Sequence, residues 1–164
     1  MEQDSAPRLT LPDGERDHLK GSLDAPVVLV EYGDYECPHC QEVHPILWEL
    51  KERMGDRVAF IYRHFPISSQ HPHAAMAAEA AEAAGAQGKF WEMHRQLFTH
   101  QNALTFEDLL NHASAIGLDV DRFRRDLEEK AFEARVREDF MSGVRSGVNP
   151  GADGILRALE NLPD

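Results

Sequence analysis

Apolar positions along the chain follow two rhythms. Val27 to Tyr32 is an apolar, β-branched run broken only by Glu31, too short before Gly33 for a helix, and Val58 to Tyr62 is a second run of strand length. Between them Val43, Leu47, Leu50 and Met54 recur at helical spacing. Pro38 fits the first helical position, Gly55 supplies the stop, and Pro45 is expected to kink the helix. Strand, helix and strand in succession predict a right-handed βαβ unit with parallel strands. From Pro72 to Gly147 the pattern turns helical throughout. Ala74 to Ala84 is a helix by propensity, and Phe90, His94, Leu97 and Phe98 stripe the next. Thr105 is the expected N-cap of a third, with Leu109, Leu110 and Ala113 inward and Gly117 ending it. Val120, Phe123 and Leu127 mark a fourth; Phe132, Val136, Phe140 and Val144 mark a fifth, closed by Gly147.

The ends are less patterned. Met1 to Lys20 is polar and punctuated by Pro7, Pro12 and Gly14, so only Leu9 to Leu11 and His18 to Lys20 suit short edge strands. Ile155, Leu156, Leu159 and Leu162 fit a short C-terminal helix, and no run after Val148 has strand character. There is no internal repeat. With 164 residues and 42% hydrophobic content the chain can bury one core, so a single domain over 1–164 is expected. A net charge of −12 argues against nucleic acid and against an anionic membrane surface as partners, since both would repel the chain. No apolar run approaches membrane-spanning length, and Met1 to Asp13 has neither a basic nor an apolar leader pattern, so the expected location is cytoplasmic.

The chemistry concentrates where the first strand meets its helix. Cys37 and Cys40 are the two cysteines of the chain, in the motif Cys37-Pro38-His39-Cys40. With Pro38 opening the helix, Cys37 takes the N-cap, where unpaired amides and the positive end of the dipole favour a thiolate. Cys40 lies nearly one turn further on the same face, within disulfide reach but deeper against the sheet. A zinc site is the competing reading of a cysteine pair, but no second pair accompanies it. His39, between the thiols, is placed to stabilise the Cys37 thiolate by charge or hydrogen bonding, or else to face solvent. Glu31, a carboxylate among valines, must be partnered, functional or exposed at an edge. His71 and His73 flank Pro72 without a third metal ligand and read as surface residues; Phe90 and Trp91 read as core rather than substrate groove. No cofactor and no metal is expected.

Cys37-Pro38-His39-Cys40 after such a strand resembles the active-site motif of the DsbA-like thiol:disulfide oxidoreductases of the thioredoxin superfamily. Asp24-Ala25-Pro26, Arg63-His64-Phe65-Pro66, His71-Pro72-His73-Ala74 and Gly88-Lys89-Phe90-Trp91 extend the resemblance from about Asp17 to Val148. It implies an α/β fold: a thioredoxin-like βαβ unit carrying a large helical insertion, about 72–130. It implies dithiol-disulfide exchange with protein thiols or disulfides and with a redox partner that the sequence does not identify. It also matches Glu31 to a family glutamate thought to pass protons near the buried cysteine.

The chain departs from that family after Val148. The family continues with a Thr-Pro dipeptide, whose cis proline faces the dithiol, and two antiparallel strands. Here Pro150 is followed by Gly151-Ala152-Asp153-Gly154 and the final segment. The expectation is an incomplete sheet that leaves Val27 to Tyr32 with an unpaired edge, which invites a homodimer through that edge. It also implies near-normal exchange with small disulfides but poor turnover of protein disulfides. The reading is that Cys37 attacks and Cys40 resolves, with Cys37 accessible and Cys40 protected. A non-catalytic thioredoxin-like interaction module is the alternative.

Overall fold

The two apolar runs are the central strands of one sheet. In the computed structural model, which describes residues 9–148 and the backbone of 155–160, β2 (Val27–Gly33) pairs in parallel with β3 (Val58–His64), from Val27 opposite Val58 to Gly33 opposite His64. The crossover between them is helix α1 (Pro38–Met54), followed by a single 3-10 turn at Gly55–Arg57. Gly55 takes φ 54°, the left-handed conformation that glycine adopts without a Cβ clash, and its N–H reaches the Lys51 carbonyl. The helix runs through Pro45.

β1 (His18–Lys20) pairs antiparallel with the outer side of β3, as its position allowed. The other expected edge strand does not form. The carbonyls of Thr10 and Leu11 instead accept hydrogen bonds from the Arg63 guanidinium at 2.8 and 3.2 Å, and a backbone so engaged is not available to a strand ladder.

The last segment corrects the sequence reading. Ile155–Glu160 is strand β4, not a helix, and it pairs antiparallel with β2, from Val27 opposite Glu160 to Tyr32 opposite Ile155. The sheet order is β1-β3-β2-β4. The edge of β2 expected to be open is therefore covered by the chain itself, and the premise for a homodimer through it is removed. The backbone groups along that edge offer one hydrogen bond after another to any extended segment that reaches them, which outweighs the weak helical spacing of four apolar residues. Among the described residues, one antiparallel strand stands where the resemblance implied two. Pro150 lies outside the described residues.

Alternation along β2 and β3 divides the core. Leu29, Phe60 and Tyr62 face α1 and the helices of the insertion, packing with Leu47, Phe90, Met93, Leu97 and Phe98. Val28, Val30, Tyr32, Ala59 and Ile61 face the opposite layer, with Phe65, Ile67, Val148 and the partly buried Phe140. Five helices follow β3: α2 (Ala74–Gly85), α3 (Phe90–Thr99), α4 (Phe106–Ala115), α5 (Val120–Glu128) and α6 (Glu133–Arg145). Alanine-rich α2 is buried along most of its length, because small side chains let neighbouring helices approach from several sides. Thr105 caps α4 as expected, accepting from Asp108 N at 3.2 Å while the Asp108 carboxylate accepts from Thr105 N at 3.1 Å.

Two helical stripes rotate away from their expected faces. In α1 the buried line is Cys40, His44 and Leu47, and Leu50 is exposed. In α6 Val136 is buried but Val144 is not, its place taken by Ser142 and Gly143. The α6 stripe is a strict four-residue repeat, which advances about 40° per step around a helix of 3.6 residues per turn, so its later members leave the buried face.

Candidate active site

β2 and α1 meet at a loop held from several directions. Asp34 organises it: Oδ1 accepts from Glu36 N at 2.8 Å, Oδ2 accepts from Ile67 N at 2.9 Å, and His71 Nδ1 lies 2.8 Å from the same Oδ2. His73 donates its backbone N–H to Glu36 Oε2 at 3.1 Å, and its ring Nδ1 lies 2.9 Å from the same oxygen. The pair of histidines that reads as surface in the sequence thus ties the segment before α2 to the loop before Cys37. Gln101, from the connection after α3, donates to the carbonyls of Tyr35 and Cys37 at 3.1 and 2.8 Å.

Cys37 is the N-cap of α1, in an extended conformation with φ −75° and ψ 123°, and its side chain makes no capping hydrogen bond. Its sulfur therefore sits at the helix end that carries the positive partial charge. Cys40 lies one turn on. Both thiols are free and near each other. Both are also buried, Cys37 at 2% and Cys40 at 4% exposure. The protected Cys40 is as expected; the accessible Cys37 is not, since its turn is packed into the core and clamped by Gln101, 64 residues further along the chain. His39 stands exposed between them.

Glu31 lies on the face of the sheet that carries Leu29, the same side as the dithiol, two residues before the end of β2. It is buried, with Tyr62 opposite on β3 and Leu156 opposite on β4, so the edge-exposure reading does not hold. Burial pushes its carboxyl up to about 8. The Cys40 thiol is pushed well above the ordinary range by burial, then by the charge of Glu31 and the proximity of Cys37. Tyr62 and Tyr35 pack with ring centroids 5.2 Å apart, and burial keeps both phenols protonated, helped next by Glu82 and Glu31 at Tyr35 and by Tyr35 and Glu31 at Tyr62. Tyr35 Oη is 2.8 Å from His94 Nδ1. His94 is held neutral by burial and by the surrounding histidines, and burial also pushes His44, beside it, down to about 4.

Sequence reasoning singled out Cys37, Cys40, His39 and Glu31 as candidates, and the fold places Cys37, Cys40 and Glu31 on one side of the sheet. It missed Asp34, Gln101 and the Tyr35–His94 pair. Asp34 had a signal, a short polar residue just after a strand and before a helix; Gln101 had none. Phe90 is core as expected. Trp91 is only half buried and, with Trp48, lines a groove of about 570 Å³ between α1 and α3, where the Lys20 ammonium lies over both indoles.

Comparison with known proteins places this geometry. A family model described as Thioredoxin matches residues 13–150. The protein described as Na(+)/H(+) antiporter NhaA 1 from Mycobacterium sp. (strain KMS) is 42% identical over 165 residues, covering 90% of this chain but 27% of that protein. The chain thus spans about a quarter of the length of the curated relatives it matches. None of the described helices is long and apolar enough to cross a membrane. Among solved structures, BdbD from Bacillus subtilis (oxidised) superposes with a TM-score of 0.81 at 20% identity, over 95% of this chain and 88% of that one. A thioredoxin-like oxidoreductase from Silicibacter pomeroyi DSS-3 gives 0.74 at 26% identity, over 86% and 80%. With the parallel βαβ core, the helical insertion and the Cys-Pro-His-Cys turn in place, this chain belongs to the thioredoxin family and shares its fold with BdbD.

Proposed function

We propose that this chain exchanges electrons between its Cys37/Cys40 pair and the thiols or disulfides of protein substrates. The observation that carries the reading is the meeting of two neighbouring free thiols at a helix N-terminus with a buried carboxyl whose pKa is raised to about 8. In the oxidising direction a client thiolate attacks Cys37 Sγ of the Cys37–Cys40 disulfide. The sulfur–sulfur bond breaks, Cys40 leaves with the electron pair, and Glu31 supplies its proton. A second client thiol then attacks the client sulfur of the mixed disulfide and releases Cys37 as thiolate. The pair gains two electrons and the client loses two. The reducing direction is the reverse, with Glu31 taking the proton from Cys40 as it attacks.

One observation favours a second reading. Both sulfurs are buried, which opposes the approach of a client sulfur, so a non-catalytic interaction module of the same fold is the alternative. Equilibration with glutathione separates the two. A redox protein shows one two-electron transition, abolished in Cys37→Ser, whose midpoint gives the direction. A dithiol that fails to equilibrate, or that equilibrates but turns over neither reduced nor disulfide-bonded protein, rejects the enzymatic reading.

A further inference from the structure

A second cluster of chemically active side chains lies away from the dithiol, where β1, the end of β3 and α2 meet. His18, His64 and Glu82 each present one ligand atom there, and the three atoms lie within 4.8 Å of one another. His64 is fully buried and neither ring nitrogen has a hydrogen-bond partner; its Nε2 lies 3.6 Å from Glu82 Oε2. His18 Nε2 contacts the same Oε2. A buried imidazole with both nitrogens unsatisfied costs free energy comparable to a lost hydrogen bond, and its Nε2 is aimed at a carboxylate oxygen already shared with a second imidazole.

The surroundings fix these groups. Arg135 Nε lies 3.3 Å from Glu82 Oε1, which turns Oε2 toward the histidines. Asp139, itself buried, lies 3.5 Å from Arg135 and offsets its charge, and its Oδ2 accepts the His64 backbone N–H at 3.1 Å. The His18 ring stacks on Phe90 at 3.5 Å between centroids, which orients its Nε2. Its side chain is 21% exposed, leaving a way in from solvent.

We propose that His18, His64 and Glu82 form a binding site for zinc or a similar first-row divalent cation, with water as fourth ligand. Two imidazoles and one carboxylate are a zinc donor set, and outer groups that hold each ligand are a usual feature of such sites. His64 Nε2 lies 3.6 Å from Glu82 Oε2 and His18 Nε2 lies closer still, so an ion about 2.0 to 2.2 Å from each ligand is admitted once the His18–Glu82 contact opens by a small side-chain movement. The metal satisfies His64, displaces the proton between His18 and Glu82 to solvent, and ties β1, β3 and α2 together. This site is independent of the redox reading.

The test uses the full chain carrying Cys37→Ser and Cys40→Ser, so that the thiols cannot take the metal, titrated with Co²⁺ and then Zn²⁺. One Co²⁺ per chain with the visible band of four-coordination, displaced by Zn²⁺ with a rise in Tm, is expected. His18→Phe, which keeps the stack on Phe90, and Glu82→Gln each weaken binding by about tenfold or more. Failure to bind, or equal affinity in a folded His18→Phe protein, overturns the proposal. Should both variants unfold, X-ray absorption on the zinc-loaded parent decides: two imidazoles in the shell support the site, and one or none overturns it.

Discussion

Glu31 is the residue whose chemistry depends most on where the fold puts it. In an unfolded chain its carboxyl titrates near 4.5; in the fold, burial raises it to about 8. Between those values the folded state holds a proton that the unfolded state has released, so this residue makes stability fall as pH rises from about 5 to 8. Glu31→Gln removes that slope. Urea denaturation at pH 5 and pH 8.5 is expected to show the variant gaining on the parent with pH, by on the order of a few kcal/mol at the alkaline end. A difference that does not change with pH would show that the carboxyl is not protonated in the fold. Cys40 responds to the same environment. In Cys37→Ser, alkylation of the remaining Cys40 should stay slow through neutral pH and accelerate only in strong base or on unfolding, because burial and the Glu31 charge oppose its thiolate. Fast alkylation at pH 7 in the folded variant would contradict its protected position.

At the scale of elements, the seat of α6 on the sheet turns on one glycine. A Cβ at Gly143 would come within 2.6 Å of the Phe65 ring and 3.0 Å of Tyr32. Alanine there gains about 1 kcal/mol in helix propensity. It must also force aside two buried rings, one of them stacked on Phe140 at 4.4 Å, at a cost of about 1 to 3 kcal/mol. The steric effect wins: Gly143→Ala should lower stability, read as a lower denaturation midpoint, although helix propensity alone predicts the opposite. A rise in the midpoint would mean that α6 shifts freely on the sheet.

At the scale of the whole molecule, a buried ion pair fastens the N-terminal arm to the sheet. Arg63 Nε and Nη2 each donate to the Asp17 carboxylate at 2.9 Å, with both side chains out of solvent, and Nη1 donates to Thr10 O and Tyr32 Oη at 2.8 and 2.7 Å. Burial alone would raise the Asp17 carboxyl; the Arg63 hydrogen bonds and charge outweigh it and hold the group below its ordinary value. Its stabilisation is therefore present above about pH 4 and is lost as pH falls through the lowered folded value. Asp17→Asn should cost about 3 to 5 kcal/mol at pH 7, since it leaves the guanidinium buried without a counter-charge. The gap should narrow as the parent is taken down in acid. A constant gap from pH 7 to pH 2.5 would place the pair's contribution in packing rather than charge.

Local pattern sufficed where a local cause operates. Val27 to Tyr32 and Val58 to Tyr62 are buried on both faces and could be little else than central strands; Pro38, Gly55 and Thr105 mark helix ends through their own backbone and side-chain chemistry; and Cys37 to Cys40 at a strand-to-helix turn was legible as the candidate site. What the sequence left open depended on partners far along the chain. Ile155 to Glu160 became a strand because the β2 edge was there to pair with, a fact that no window of six residues contains. Cys37 became buried in a turn packed into the core and clamped by Gln101, 64 residues further along the chain. Glu31 became a proton-holding acid rather than an exposed edge residue once strands closed on both of its sides. Propensity and spacing act over a few residues, whereas desolvation and strand pairing belong to the assembled core, and only the tertiary structure decides them.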